Sequence, residues 1–461
     1  MRGVLVALLA TMVVAAPLAF GGAIRQAEVW LEVGAALALL FAAFLPRPVN
    51  HAAGPSPVRR ALVLVGWALA GLVGLGLVQS LALPGGVVAA ISPEHAKRWA
   101  DASGLLGRAL QPHLSLDPAA SRATALLLAA ALATGLAAAA VADRRGARRV
   151  LAVAVLVAAL FQGLFGAWRW GPRTAAIWGV ETPDGSARMR GTYVNPDHLA
   201  DLLAIALAVA FAAAWLGLRR TRERSAERRV LLVAPPVLAW ITLFVTLAFT
   251  GSRAGLAAAM LGAALQAVLV SVRRFGKRRA LLLAVLVVGV GIGAVAFVGL
   301  RQGLGRFLDQ PVGEGLGSRG QAYTATLALW QRFPFLGSGL GSFRAAFPLV
   351  QPSAMSGAWW HAHSDALELL ATAGIFGCAL GGLALFALAR GLLALWRQAE
   401  RSEERAMALA ALGAAVAVLA HELVDFGLTM PANALVLAVV CGLALGTPRD
   451  AVKRRASHPP R

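Results

Sequence analysis

About twelve apolar runs, each close to 20 residues long, constrain this chain more than any other feature. A helix that crosses the hydrocarbon core of a bilayer needs roughly 20 mostly apolar residues. In lipid the backbone must satisfy its own hydrogen bonds, so only helices and closed barrels can span a membrane. The runs are rich in Leu, Ala and Val and lack the two-residue alternation of a barrel. The sequence therefore predicts an all-α polytopic membrane protein with about twelve transmembrane helices.

The predicted spans divide the chain into one membrane domain, 1–447, and a basic tail, 448–461, that is predicted to be disordered. The longest connection is 301–364, and its many aromatic residues argue against disorder there. Segments 319–333 and 338–349 of this loop are predicted to form short helices at the membrane interface. The spans are predicted at 3–24, 28–46, 61–82, 121–142, 150–170, 198–218, 230–250, 254–272, 280–300, 365–389, 406–424 and 431–447.

The net charge of +21 would suggest nucleic acid in a soluble protein, but this chain is 59% hydrophobic and only 14% charged. With the spans above, 28 of its 43 Lys and Arg residues fall in alternate connections. An excess of Lys and Arg marks cytoplasmic loops, so both termini are predicted to be cytoplasmic. The charge is then explained by topology and by contact with anionic membrane lipids, not by nucleic acid.

A candidate catalytic cluster lies where loop 301–364 meets the next span, at His361, His363, Ser364 and Asp365. Ser364 is a good helix N-cap, and Asp365 suits the positive end of the helix dipole. This predicts that His363 lies at the helix mouth, where the dipole lowers its pKa and a neutral imidazole can act as a general base. Two other interpretations stay open, namely simple capping by a histidine and a metal site formed by both histidines with a carboxylate.

Two arginines on the same predicted side are candidates for binding an anion. Arg253 lies between two adjoining spans, and Arg319 lies in loop 301–364. An arginine at membrane depth is costly and often functional, and its planar fork suits phosphate oxygens. Snorkelling of the side chain to the interface is the competing interpretation.

Two further clusters fall on the predicted outer side. One contains Arg190, Asn195 and His198, and the other contains His421 and Asp425 near the end of a span. Polar contacts between helices are an alternative explanation for the second cluster. Because arginines recur among these clusters, together they predict one outward pocket for an anionic substrate, and a diphosphate fits better than a carboxylate. The two cysteines, which lie in apolar runs, indicate neither a disulfide framework nor a metal motif.

The order of these blocks resembles the O-antigen ligase and polymerase superfamily. The most specific feature is His363-Ser364, followed after nine residues by Gly374-Ile375-Phe376-Gly377. The resemblance extends over roughly 160–445. The other blocks that carry it are 190–198, 250–255, 319–330, 337–343 and 421–434.

The resemblance implies a glycosyltransferase of the bacterial inner membrane that needs no metal or other cofactor and works at the periplasmic face. The donor would be a glycan on undecaprenyl diphosphate, and the acceptor a lipid A-core sugar, a growing glycan or a protein hydroxyl. Arg253, Arg319 and Arg190 would bind the diphosphate, and His363 would activate the acceptor hydroxyl for a single inverting displacement. Supporting roles would fall to His361, Asp365, Asn195, His198, His421 and Asp425.

Three alternatives to a glycan ligase remain at this point. A polysaccharide polymerase would use the same chemistry on a different acceptor. A transporter of an anionic solute predicts broken helices that meet at the bilayer midplane, often with repeat symmetry. A structural membrane scaffold predicts that the arginines and His363 matter only for stability.

Overall fold

The computed structural model describes residues 1–46, 56–170, 176–180, 188–309 and 312–447, and within these ranges the chain is helical with no β-strand beyond one isolated bridge. The tail 448–461 lies outside the described residues. The helices are α1 (Arg2–Leu18), α2 (Arg25–Ala43), α3 (Pro57–Gln79), α4 (Gly85–Ile91), α5 (Pro93–Leu106), α6 (Pro118–Val141), α7 (Arg145–Trp170), α8 (Pro196–Arg220), α9 (Ala226–Thr250), α10 (Arg253–Phe275), α11 (Lys277–Asp309), α12 (Val312–Arg332), α13 (Phe343–Ala346), α14 (Asp365–Gln398), α15 (Ser402–His421) and α16 (Pro431–Leu445).

Each predicted span overlaps one of these helices, with ends that differ by up to nine residues. In the described part of the chain, nine of the helices are long and apolar enough to cross a membrane, namely α2, α3, α6, α7, α8, α9, α10, α14 and α15. The shorter α1 and α16 are also apolar, and the predicted span 280–300 lies within α11. The chain is therefore an integral membrane protein, while the total of twelve spans stays a prediction.

The centre of the bundle is formed by α8, which packs against α9, α10 and α15. Glycines allow the close approach of two other helix pairs. A methyl group on Gly262 of α10 would meet the carbonyl of Gly413 on α15 at 2.5 Å, and one on Gly442 of α16 would meet that of Gly135 on α6 at 2.2 Å. Small residues at such crossings are typical of helix packing in lipid, where close van der Waals contact holds helices together.

The connection 301–364 differs from its prediction in two ways. Its first part is more helical than predicted, because α11 extends into it and α12 lies within it, and its later part is less helical. The predicted short helix 319–333 is part of the 21-residue α12. The predicted short helix 338–349 is confirmed only from Phe343 onward. Before that, Gly337, Gly339 and Gly341 have φ of 72°, 119° and 78° and form a turn. Helical structure begins only at α13 and continues as a 3-10 turn over Phe347–Leu349.

This glycine turn docks into a break in α14. Gly374 has φ 64° and ψ −165°, which interrupts the helix. The freed backbone groups pair with the loop, since Ile375 N donates to Pro334 O at 2.9 Å and Ser338 N donates to Ala371 O at 2.9 Å. The Gly374–Gly377 motif thus fixes the end of α12 and the glycine turn against α14, directly beside the histidine-bearing segment.

Candidate active site

The polar residues gather where the N-termini of α8, α10 and α14 meet the C-terminus of α15. The segment after α15 is tied to the start of α14, because Asp365 N donates to the carbonyls of both Glu422 and Asp425 at 3.0 Å. Each of these helix ends was predicted to carry functional residues, and the fold brings them to one end of the bundle.

Three of the predicted histidines surround one aromatic ring, that of Phe426. His361 stacks on it with ring centroids 4.3 Å apart, while His198 and His363 approach edge-on at 4.7 and 5.0 Å. The three histidines come from two loop-to-helix junctions more than 160 residues apart in sequence, so their meeting is a product of tertiary structure.

The two histidines of the His361-Ala-His363 segment have opposite electrostatic environments. His361 Nδ1 is hydrogen-bonded to Glu368 Oε1 at 3.0 Å, and the second carboxylate oxygen accepts from Ala362 N at 2.9 Å. Although burial alone lowers the pKa of His361, this carboxylate outweighs burial and raises it above its usual value. Burial, followed by the positive charge of Arg319, lowers the pKa of His363 to about 4. His363 is therefore neutral at physiological pH.

His363 is also held in an uncommon backbone conformation. Its φ is 53°, in the left-handed region that non-glycine residues rarely adopt and that recurs at functional sites. Two contacts hold it there. Tyr323 Oη donates to its carbonyl oxygen at 2.9 Å, and Ser364 Oγ accepts from Leu367 N at 3.4 Å as the predicted N-cap of α14. Its Nδ1 is buried and has no hydrogen-bond partner among the described residues.

Arg253 and Arg319 both present exposed side chains. Arg253 is the first residue of α10, directly after Ser252, whose hydroxyl caps the helix by accepting from Gly255 N at 3.1 Å. Arg319 lies on α12 one turn from Tyr323, close enough for its charge to act on His363. Neither arginine pairs with a carboxylate in the part of the chain that the structure describes.

Arg190 differs from these two arginines, because it is only 8% exposed and donates to the carbonyl of Val194 at 3.4 Å. The neighbouring Arg188 forms an ion pair with Asp197 at 2.6 Å and also donates to Thr250 O at 2.8 Å. This arginine ties the start of α8 to the end of α9. The segment containing Arg190 thus supports the site from within.

A buried polar network centred on His421 lies beneath the site. His421 Nδ1 lies 2.7 Å from Asp201 Oδ1, its Nε2 lies 3.5 Å from Asp425 Oδ2, and Ser252 Oγ is also 3.5 Å from Nε2. The pair of His421 and Asp201 joins α15 to α8, as polar contacts between membrane helices do. Burial raises the pKa of Asp425 to about 6, although the charge of His421 opposes this rise. Asn195 caps the start of α8, the helix that carries Asp201, by accepting a hydrogen bond from Asp197 N at 2.8 Å. Its side-chain nitrogen lies 3.5 Å from His198 Nε2.

Four residues of the site were not proposed from the sequence, namely Asp201, Tyr323, Glu368 and Phe426. Asp201 carried a usable signal, because it is a carboxylate inside an apolar run, four residues after Asp197 and therefore on the same helix face. Glu368 carried a similar signal, because it lies in an apolar run three residues after Asp365. Tyr323 and Phe426 depend on contacts between elements and had no comparable signal. In the described ranges, no group of three or more His, Cys, Asp and Glu side chains is arranged to hold a metal ion.

Comparison with known protein families finds a match in the central part of the chain. A family model described as O-antigen ligase matches residues 237–381. This stretch includes Arg253, Arg319, His361, His363 and Asp365, while Arg190, Asn195, His198, His421 and Asp425 lie outside it. No curated protein matches the chain.

Proposed function

We propose that this chain, whose residues 237–381 match an O-antigen ligase family model, transfers a glycan from undecaprenyl diphosphate to an acceptor hydroxyl. The site would face the periplasm, in the inner membrane, with both termini in the cytoplasm. The acceptor would be a lipid A-core sugar, as in a ligase. A growing glycan, as in a polymerase, is the second candidate, because the same site chemistry serves both acceptors.

The observation that carries this proposal is a neutral, unpartnered histidine beside an exposed arginine. In the reaction, the acceptor oxygen forms a bond to the anomeric carbon of the glycan while the bond from that carbon to the diphosphate oxygen breaks. The acceptor proton passes to the His363 ring, and a single displacement inverts the anomeric carbon. A general base must be unprotonated to accept that proton, which the lowered pKa of His363 ensures.

The leaving diphosphate needs fixed positive charge where negative charge develops. Arg319 and Arg253 suit this role, since both are exposed and their forked guanidinium groups can hold two phosphate oxygens at once. Arg319, whose charge lowers the pKa of His363, would thus also lie near the leaving group. No metal ion is needed for this step when arginines supply the charge.

The remaining residues of the site position His363 and the helix ends around it. Glu368 holds His361, which stacks on Phe426, and Phe426 in turn contacts the ring of His363. Asp365 and Asp425 join the start of α14 to the segment after α15. We assign a positioning role to these residues, and contact with substrate to His363, Arg253 and Arg319.

The transporter alternative predicted broken helices around a central site. One helix in the described part, α14, is broken, at Gly374. Its freed backbone groups are taken by residues 334–339 of the same chain. This arrangement favours a structural role for the break over a solute site.

The proposal is tested by complementation of a strain that lacks the gene. His363→Ala, Arg253→Ala and Arg319→Ala are compared with wild type at matched membrane levels, and surface polysaccharide and the lipid-linked glycan pool are measured. Arg332→Ala is the matched control, because Arg332 is an exposed arginine at the opposite end of the same α12.

Three outcomes are distinguishable. Accumulation of long, unattached lipid-linked glycan in the three variants, with a normal Arg332→Ala control, supports a ligase. Accumulation of single repeat units identifies a polymerase instead. Unchanged glycan profiles in all three variants would show that the transferase proposal is wrong.

A further inference from the structure

The opposite end of the bundle carries a hollow ringed by arginines that the proposed reaction does not use. Asp197 and Arg220 lie near the two ends of α8, 23 residues and therefore about 35 Å apart along the helix. The hollow lies at the Arg220 end, between the N-termini of α7, α9 and α15 and the C-terminus of α8. It is thus separated from the candidate active site by most of the membrane thickness.

Six arginines and one carboxylate form the polar mouth. Glu403 is paired with Arg145 Nε at 3.1 Å, with Arg148 Nη2 at 3.2 Å and with Arg220. One carboxylate therefore balances three arginines. The remaining arginines of the lining are exposed and have no carboxylate partner among the described residues, namely Arg149, Arg224 and Arg228.

The mouth opens onto an apolar groove of about 500 Å³ that runs down between α7, α8 and α9. Its walls are formed by aliphatic side chains such as Leu156, Leu160 and Leu216, and by Pro235 and Pro236. The two hollows share Arg145, Arg149, Arg220, Leu232 and Glu403, so charge and groove are continuous. This combination needs a ligand with an anionic head and an apolar chain on one molecule.

We propose that this hollow binds an anionic glycerophospholipid of the leaflet opposite the active site. Its phosphodiester would lie among Arg149, Arg224 and Arg228, and one acyl chain would lie in the groove. Basic hollows between membrane helices at the cytoplasmic side bind anionic head groups through the same charge complementarity. Glu223 and Glu227 lie nearby in sequence but do not line the hollow, so its charge stays strongly positive.

The geometry also suggests what the lipid does. The loop between α8 and α9 borders the hollow through Arg224. It is held by the Ser225 hydroxyl, which accepts from Arg228 N at 3.4 Å, and by Arg229, whose Nη2 donates to Arg222 O at 3.3 Å. A phosphodiester that bridges Arg149 of α7 to Arg224 and Arg228 would add a polar link between α7, the α8–α9 loop and the start of α9. Bound lipid should therefore raise the thermal stability of the full chain in detergent.

Lipid binding is measured by native mass spectrometry of the purified full chain in neutral detergent. The probes are phosphatidylglycerol, phosphatidylcholine and glycerol 3-phosphate, which has the phosphate without acyl chains. The test variant is Arg149→Gln/Arg224→Gln/Arg228→Gln. The matched control is Lys277→Gln/Arg278→Gln/Arg279→Gln, which removes three exposed positive charges at the start of α11.

We expect phosphatidylglycerol to bind at least tenfold more tightly than the other two probes, and the test variant to weaken that binding about 100-fold. The control variant should change it less than threefold. A second, independent variant, Ala213→Phe, places a ring in the groove and leaves every arginine in place; it should weaken phosphatidylglycerol binding at least tenfold.

Three results would overturn the proposal. Equal losses in the test and control variants would show that only general surface charge attracts lipid. Equal affinity for glycerol 3-phosphate would indicate a site for a free phosphate. Unchanged binding in Ala213→Phe would show that no acyl chain occupies the groove.

Discussion

The strongest quantitative prediction concerns the acid limb of the pH–rate profile. With an ordinary pKa near 6.5, a catalytic histidine would be about 97% protonated at pH 5 and unable to act as a base. With the pKa of His363 lowered to about 4, only about 10% of the ring is protonated at pH 5. The proposed enzyme should therefore keep about 90% of its kcat/KM at pH 5 and lose it with an apparent pKa near 4.

The same reasoning predicts the effect of a charge change at Arg319. A nearby cation disfavours the imidazolium form, so Arg319→Gln should raise the pKa of His363 and move the acid limb to higher pH. Arg332→Gln should leave the limb in place, because Arg332 lies at the far end of α12. The direction of the shift separates an electrostatic effect on the base from a simple loss of substrate binding, which lowers kcat/KM at every pH.

The assay is glycan transfer by the purified full chain from a lipid-linked donor to its acceptor, measured from pH 3.5 to 8. Two other groups near the site have shifted pKa values. The pKa of Asp425 is raised to about 6 by burial, and the pKa of His361 is raised by Glu368. Asp425→Asn therefore serves to remove any limb that belongs to Asp425.

Two results would refute this reasoning. A wild-type limb near 6.5 that persists in Asp425→Asn would mean that the base is an ordinary exposed histidine. An unchanged limb in Arg319→Gln would mean that the arginine does not act on the base.

The remaining predictions concern stability and are read from thermal unfolding of purified variants in detergent. Gly374→Ala should cost at least about 2 kcal/mol, because the residue has φ 64° and its new Cβ would lie 2.2 Å from Phe335 O; Gly382→Ala, which meets nothing within 4 Å, should stay within about 0.5 kcal/mol of wild type. Asp201→Asn should cost about 3–5 kcal/mol by removing the negative charge that lies 2.7 Å from the buried His421. If the Asp201→Asn/His421→Asn double variant is as unstable as the sum of the two single variants, the two residues do not act as a pair.

Much of the candidate site could be predicted as a set of residues but not as an arrangement. The N-cap at Ser364 and the lowered pKa of His363 followed from local chain order, and both are confirmed. The pKa is lowered by burial first and then by the charges of Arg319 and His361, whereas the helix dipole was the cause expected from the sequence. The choice between His361 and His363 had to wait for the structure, because it depends on Glu368 and Arg319, which approach from different elements.

The sequence by itself determined the helical class, the position of the spans and the end of the bundle at which polar residues collect. These features depend on hydrophobicity and charge along short stretches, which lipid forces the chain to obey locally. Only the tertiary structure decided that one ring, Phe426, contacts three histidines, that Asp201 pairs with His421, and that arginines of three helices surround one hollow. Such contacts join residues far apart in sequence, and they depend on how small residues let helices approach, which no local pattern records.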